Sequence, residues 1–198
     1  MDLDSRFNMR ILVAFILAFV FIQGGYSQDS EILTKSELKR LQKEQQKAEK
    51  EAELAKAAEI TEFIIANQQF VLEADYLSNK SGERISVIPS INFVMVDSLT
   101  GTLQLGSAMD AGYNGVGGAT IQGKISSYEY IKIGKKKDSY SIRMIIMSSI
   151  GNYDITLMVS SHGRADANIR GNWGTTLSYH GKLIPLSESR VFKGMPLY

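Results

Sequence analysis

The chain has 198 residues with 22 Lys and Arg against 21 Asp and Glu, so no strong field points to nucleic acid or to an acidic surface as partner. It has no cysteine, which excludes disulfide staples, thiolate metal sites, cysteine nucleophiles and lipid attached through a cysteine. Its stability must come from packing, and about 170 residues beyond a leader suffice for one domain with a core.

The first 27 residues read as a secretory signal peptide. Arg6 and Arg10 precede an unbroken apolar run from Ile11 to Ile22, and Gly25-Tyr26-Ser27 supplies the small-x-small exit for cleavage before Gln28. The run is short for a membrane span, which needs roughly 20 residues, so no retained transmembrane segment is expected. The expected divisions are a signal peptide at 1–27, a charged helical stalk at 28–62 and an antiparallel β-domain at 63–198.

Thr34 to Ala58 is rich in Glu, Lys, Gln, Ala and Leu and lacks Gly and Pro, so it reads as one long helix. Thr34 and Glu37 have capping-box spacing. The apolar stripe of Leu38, Leu41, Ala48, Ala52 and Ala55 is thin, and Gln45 interrupts it. Two readings follow: a coiled-coil stalk that makes a homo-oligomer, or a solvated helix. Ile60, Phe63, Ile64 and Ile65 should dock against the body that follows.

From Gln68 the period falls to two. Phe70, Leu72, Ala74 and Tyr76 alternate with polar residues as in a half-buried strand. Ile91–Val96 and Thr102–Leu105 read as a hairpin across Asp97-Ser98-Leu99-Thr100-Gly101. Ile121–Ile133 reads as a strand, irregular near Gly123. Ser139–Met147, Tyr153–Val159, Arg164–Ile169 and Thr175–Ile184 complete the series. About eight short strands with turn chemistry between them predict a mainly β fold, an antiparallel β-sandwich or barrel, preceded by the one long N-terminal α-helix. Val191–Tyr198 should run over the surface.

Few residues carry a chemical signature. Ser160, Ser161, His162 and Asp166 lie too close along one segment to make a catalytic triad, whose members usually come from separated segments. Two histidines without cysteine or HExxH-like spacing predict no metal site, and no cofactor motif is present. The loop Gly112–Thr120 lacks the Lys-Ser/Thr of a phosphate loop, yet Asn114, Gly115, Gly117 and Gly118 offer backbone that can approach a ligand. Trp173, flanked by glycines one and two residues away, is either a ligand platform or a lid on the core.

The segments Phe70-Val71-Leu72-Glu73-Ala74-Asp75, Ile91-Asn92-Phe93-Val94, Gln104-Leu105-Gly106, Gly112–Gly118 and Val191-Phe192-Lys193-Gly194 resemble an exported Bacteroidetes family of the domain of unknown function 4251 type. The resemblance implies a periplasmic, surface or secreted setting and brings no activity, cofactor or catalytic residue. With that origin, Asp97-Ser98-Leu99 resembles an O-glycosylation acceptor, with Ser98 as the modified residue.

The expected function is a non-enzymatic binding or interaction module of the bacterial cell envelope. It would act on an envelope partner or a small polar ligand, with no nucleic acid involved. The alternatives are a hydrolase using Glu73, Asp75, Glu129 and Asp154, or a structural protein assembled through the helix.

Overall fold

A computed structural model describes residues 35–107, 115–135, 138–171 and 176–197. The signal-peptide reading, the cap at Thr34, Asn114 and Trp173 lie outside the described residues. By its contacts the chain divides into two units, 1–45 and 46–198.

The described part of the first unit is the start of helix α1, Lys35–Ala66, where Arg40 and Glu44 pair across one turn at 3.1 Å. From Lys35 to Glu53 every residue of α1 is exposed. The helix therefore draws its stability there from propensity and i,i+4 pairs rather than from burial.

In the second unit the last turns of α1 become apolar and buried at Thr61, Ile64 and Ile65. The helix continues past the expected boundary at 62 and stops where Gln68 enters the left-handed region at φ 55°, a common C-terminal geometry. Two hydrogen bonds fix the Asn67–Gln68 corner, Asn67 N–H to Phe63 O and Gln68 N–H to Ile65 O. Tyr128 donates its hydroxyl to the same Ile65 carbonyl at 2.8 Å, and burial pushes that phenol's pKa up. Lys132 Nζ reaches Glu62 at 2.6 Å, and the Tyr140 hydroxyl donates to the same carboxylate at 3.3 Å.

Nine strands follow: β1 (Gln69–Ser78), β2 (Arg84–Ser86), β3 (Phe93–Asp97), β4 (Thr100–Leu105), β5 (Ala119–Ile133), β6 (Ser139–Ser148), β7 (Gly151–Ser160), β8 (Arg164–Gly171) and β9 (Thr176–Pro185). All pairings are antiparallel. Each of β3 to β8 pairs with the next, and β1 pairs with both β3 and β9, which closes an eight-stranded up-and-down barrel. Closure decides between the sandwich and the barrel. The short β2 pairs with the end of β1 beyond the stretch held by β3. It was missed in the sequence because all three of its residues are exposed and show no apolar alternation.

Side chains fill the barrel, as eight strands allow. Phe70, Leu72, Ile142, Ile155 and Leu157 are fully buried, and the docked Ile64 and Ile65 join the same cluster. Tyr179 is also fully buried and donates its hydroxyl to the Gln104 carbonyl at 2.8 Å, tying β9 to β4. In β8 the inward residues are the small Ala165 and Ala167 and then Ile169, while Arg164 and Asp166 face out. The irregularity expected near Gly123 lies slightly later in β5, as a register shift between Ile125 and Ser127.

After β9 the chain crosses the outside of the barrel. Backbone bonds run from Leu186 to Gln69, from Phe192 to Ser90 and from Leu197 to Thr120. Gln104 is buried beneath this strap with all four of its side-chain hydrogen-bonding positions used. Its amide group donates to Ile91 O and Phe192 O, and its oxygen accepts from Thr120 Oγ1 and Gly194 N–H.

Candidate functional site

A β-bulge in β1 re-aims the side chains at the end of that strand. Ala74 points inward, so plain alternation would also send Tyr76 and Ser78 inward. The register slips between Ala74 and Tyr76 and moves Leu77 to the inside instead. Ser78 is thereby turned outward, which is a known use of bulges. Gly181 is required at this point, because a Cβ there would meet Glu73 O at 1.9 Å.

Opposite the bulge, β9 presents His180 and β8 presents Asp166, which are register partners. Asp166 Oδ1 lies 2.6 Å from His180 Nδ1, and Ser78 Oγ lies 2.8 Å from His180 Nε2. The Asp166 side chain is 68% exposed and the His180 side chain 21%. Beside them is a hollow of about 230 Å³ whose walls include Asp75, Tyr76, Arg84, Arg164, Asp166 and His180. Arg84 is the cross-strand partner of Ser78 on β2.

The Ser160–Asp166 segment makes no triad of its own. In the fold, His162 bonds Ser161 at 3.1 Å, while Asp166 turns to His180. The Asp166–His180 pair had a signal, because the two stand equally far from Trp173 in a two-strand hairpin. Ser78 had none, since its direction depends on the bulge.

The other expected site residues fall in separate places. Gly115, Gly117 and Gly118 adopt φ of 80°, 66° and 83° before β5. At Gly118 a Cβ would meet Leu105 O at 2.4 Å, whereas at Gly115 the space is open. Strands β4 and β8 both run away from the helix end, so Gly115, Gly117 and Gly118 stand at the rim where β8 ends and β9 begins. Ser98 is exposed at the opposite end, in the tight turn between β3 and β4, with φ 52°.

The four carboxylates do not converge. Glu129 and Asp154 share an outer groove of about 520 Å³ with Arg143 and Arg170. Glu73 accepts from Ser189 Oγ at 2.8 Å, and Asp75 lines the His180 hollow. Among the described residues no cluster of three or more His, Asp or Glu could hold a metal.

An apolar groove of about 670 Å³ lies beside the last turns of α1, walled by Ile60, Phe63, Pro185 and Leu186 among others. Among the described residues no helix is long and apolar enough to cross a membrane.

No curated protein matches the chain. Among solved structures, the crystal structure of a DUF4251 family protein from Bacteroides eggerthii DSM 20697 is similar at 27% identity and a TM-score of 0.58, covering 69% of this chain and 92% of that one. The family described as "Domain of unknown function (DUF4251)" matches residues 45–183, from the exposed helix to the end of the barrel. This chain belongs to that DUF4251 family.

Proposed function

We propose that the chain is an exported binding module that holds a small polar ligand or an envelope partner at the barrel rim remote from α1. The observation that carries this reading is that the strands flanking two distinctive stretches of sequence, β4 with β5 and β8 with β9, meet at one rim. One brings three left-handed glycines, Gly115, Gly117 and Gly118, whose backbone can approach a ligand closely. The other holds Trp173, and Asn114 extends the first on the sequence argument. The filled interior supports a surface site, since the barrel cavity is occupied by its own side chains. Loops on a rigid scaffold are where binding residues concentrate. Backbone donors beside an aromatic face suit a sugar or another polar ring.

Trp173 is the only tryptophan, so its fluorescence reports on this loop alone. Titration of the purified protein with a panel of neutral and acidic sugars should give a saturable change. Trp173→Ala should abolish binding, detected by calorimetry, while shifting Tm by no more than about 2 °C, since surface substitutions cost little. A drop of several degrees would make Trp173 a core residue and end the site assignment. Export is tested by intact mass from the native host, where the chain should begin at Gln28 without lipid.

A further inference from the structure

The binding reading does not use the chain of hydrogen bonds on the outer wall. An ionised carboxylate only accepts hydrogen bonds, so the contact of Asp166 with His180 Nδ1 places a proton on that nitrogen. In the neutral ring, Nε2 then carries the lone pair, and it faces the Ser78 hydroxyl at 2.8 Å. The three side chains come from three different strands, β1, β9 and β8. Nucleophile, base and orienting carboxylate thus stand in the order that activates a serine.

The surroundings supply a place for the other reactant. The hollow of about 230 Å³ adjoins His180 and has room for a short acyl group. Arg84 and Arg164 line it, and neither guanidinium makes an ion pair or side-chain hydrogen bond among the described residues. A free guanidinium opposite Ser78 can stabilise negative charge that develops on a carbonyl oxygen.

We propose that Ser78 is a nucleophile for acyl transfer from small esters, with His180 as general base and Asp166 as the positioning residue. Ser78 Oγ bonds to the acyl carbon while Nε2 takes the hydroxyl proton, and the carbonyl oxygen becomes an oxyanion beside Arg84. Collapse breaks the ester C–O bond, and the departing alcohol takes the proton from Nε2. Water then repeats the sequence, releasing the acid and restoring Ser78.

The test treats the full chain with a fluorophosphonate probe, which phosphonylates activated serines with loss of fluoride, and maps the adduct by mass spectrometry. One equivalent on Ser78 is expected. Ser78→Ala should remove it, and His180→Gln should slow labelling by at least about 100-fold, the usual range for a general base. Asp166→Asn should slow it at least about tenfold through the wrong tautomer and should erase the downfield Nδ1–H proton resonance of His180. Ser178→Ala, which alters the neighbouring hydroxyl that bonds Asn168 instead, should label normally. Circular dichroism must match across the variants. Absent labelling, labelling spread over many serines, or an unchanged rate in a folded His180→Gln would each overturn the proposal. Labelling at Ser78 and sugar binding at the rim are read by different measurements, so failure at the rim and failure at Ser78 are separable.

Discussion

Gly194 donates its backbone N–H to the buried side-chain oxygen of Gln104 at 2.8 Å, and that bond fastens the C-terminal strap to the outside of the barrel. Gln104→Leu keeps the approximate volume but removes the side-chain partner of Ile91 O, Phe192 O and Gly194 N–H. A loss of about 2–4 kcal/mol is expected, because each unsatisfied buried group carries its own desolvation cost. Urea unfolding should show a lower midpoint at an unchanged slope.

The acid limb of stability should depend on Glu62. The hydrogen bond from Lys132, with its charge and the Tyr140 hydroxyl, holds the carboxyl below the ordinary glutamate value against the opposing effect of desolvation. A depressed folded value means that the stabilisation is present above the unfolded value and is lost as pH falls through the folded one. Glu62→Gln should therefore flatten stability against pH on the acid side only. The same substitution should change little in high salt, where exposed pairs are screened. Urea midpoints across an acid pH series at two salt concentrations check both statements.

Deleting residues 28–58 should leave a folded barrel. The removed part of α1 is mostly exposed, whereas Thr61, Ile64 and Ile65 remain in place. Cooperative thermal unfolding with a small Tm change is expected. Extending the deletion through Ala66 removes two buried isoleucines and should cost several kcal/mol. If the shorter deletion also turns a dimer into a monomer by light scattering, the exposed Leu38 and Leu41 belong to a stalk interface.

Ser98 should carry an O-linked glycan in protein from the native host. The residue is exposed in the turn joining β3 and β4, where a bulky group meets no packed layer. Peptide mass spectrometry should find a sugar mass on the Asp97-Ser98-Leu99 peptide that disappears in Ser98→Ala. An unmodified peptide at full occupancy would remove the assignment.

The parts of the fold readable in the sequence were those governed by local period. Ile155, Leu157 and Val159 alternate along β7 and all face the core. The helix was equally plain, because composition alone excludes strand from its charged run. Closure was not readable, since Phe70 pairs with Pro185 and nothing local links them. The bulge hid Ser78 for a related reason. One extra residue in β1 reverses the direction of every side chain after it, and the partner strands that impose the slip lie far along the chain.

The pairing of β1 with β9 also sets an order of assembly. Every other seam of the barrel joins strands close in sequence, so hairpins can form as soon as both arms exist. The β1–β9 seam must wait for the last strand, because its partners lie at opposite ends of the folded body. Until then β1 keeps an open edge, an exposed template for pairing with another chain. Long-range closure of this kind slows folding, since loop entropy is lost before the contacts form. A chain threaded through a membrane with its N-terminus leading would thus emerge with its first strand still half-paired, and the barrel would shut only after Pro185 had crossed.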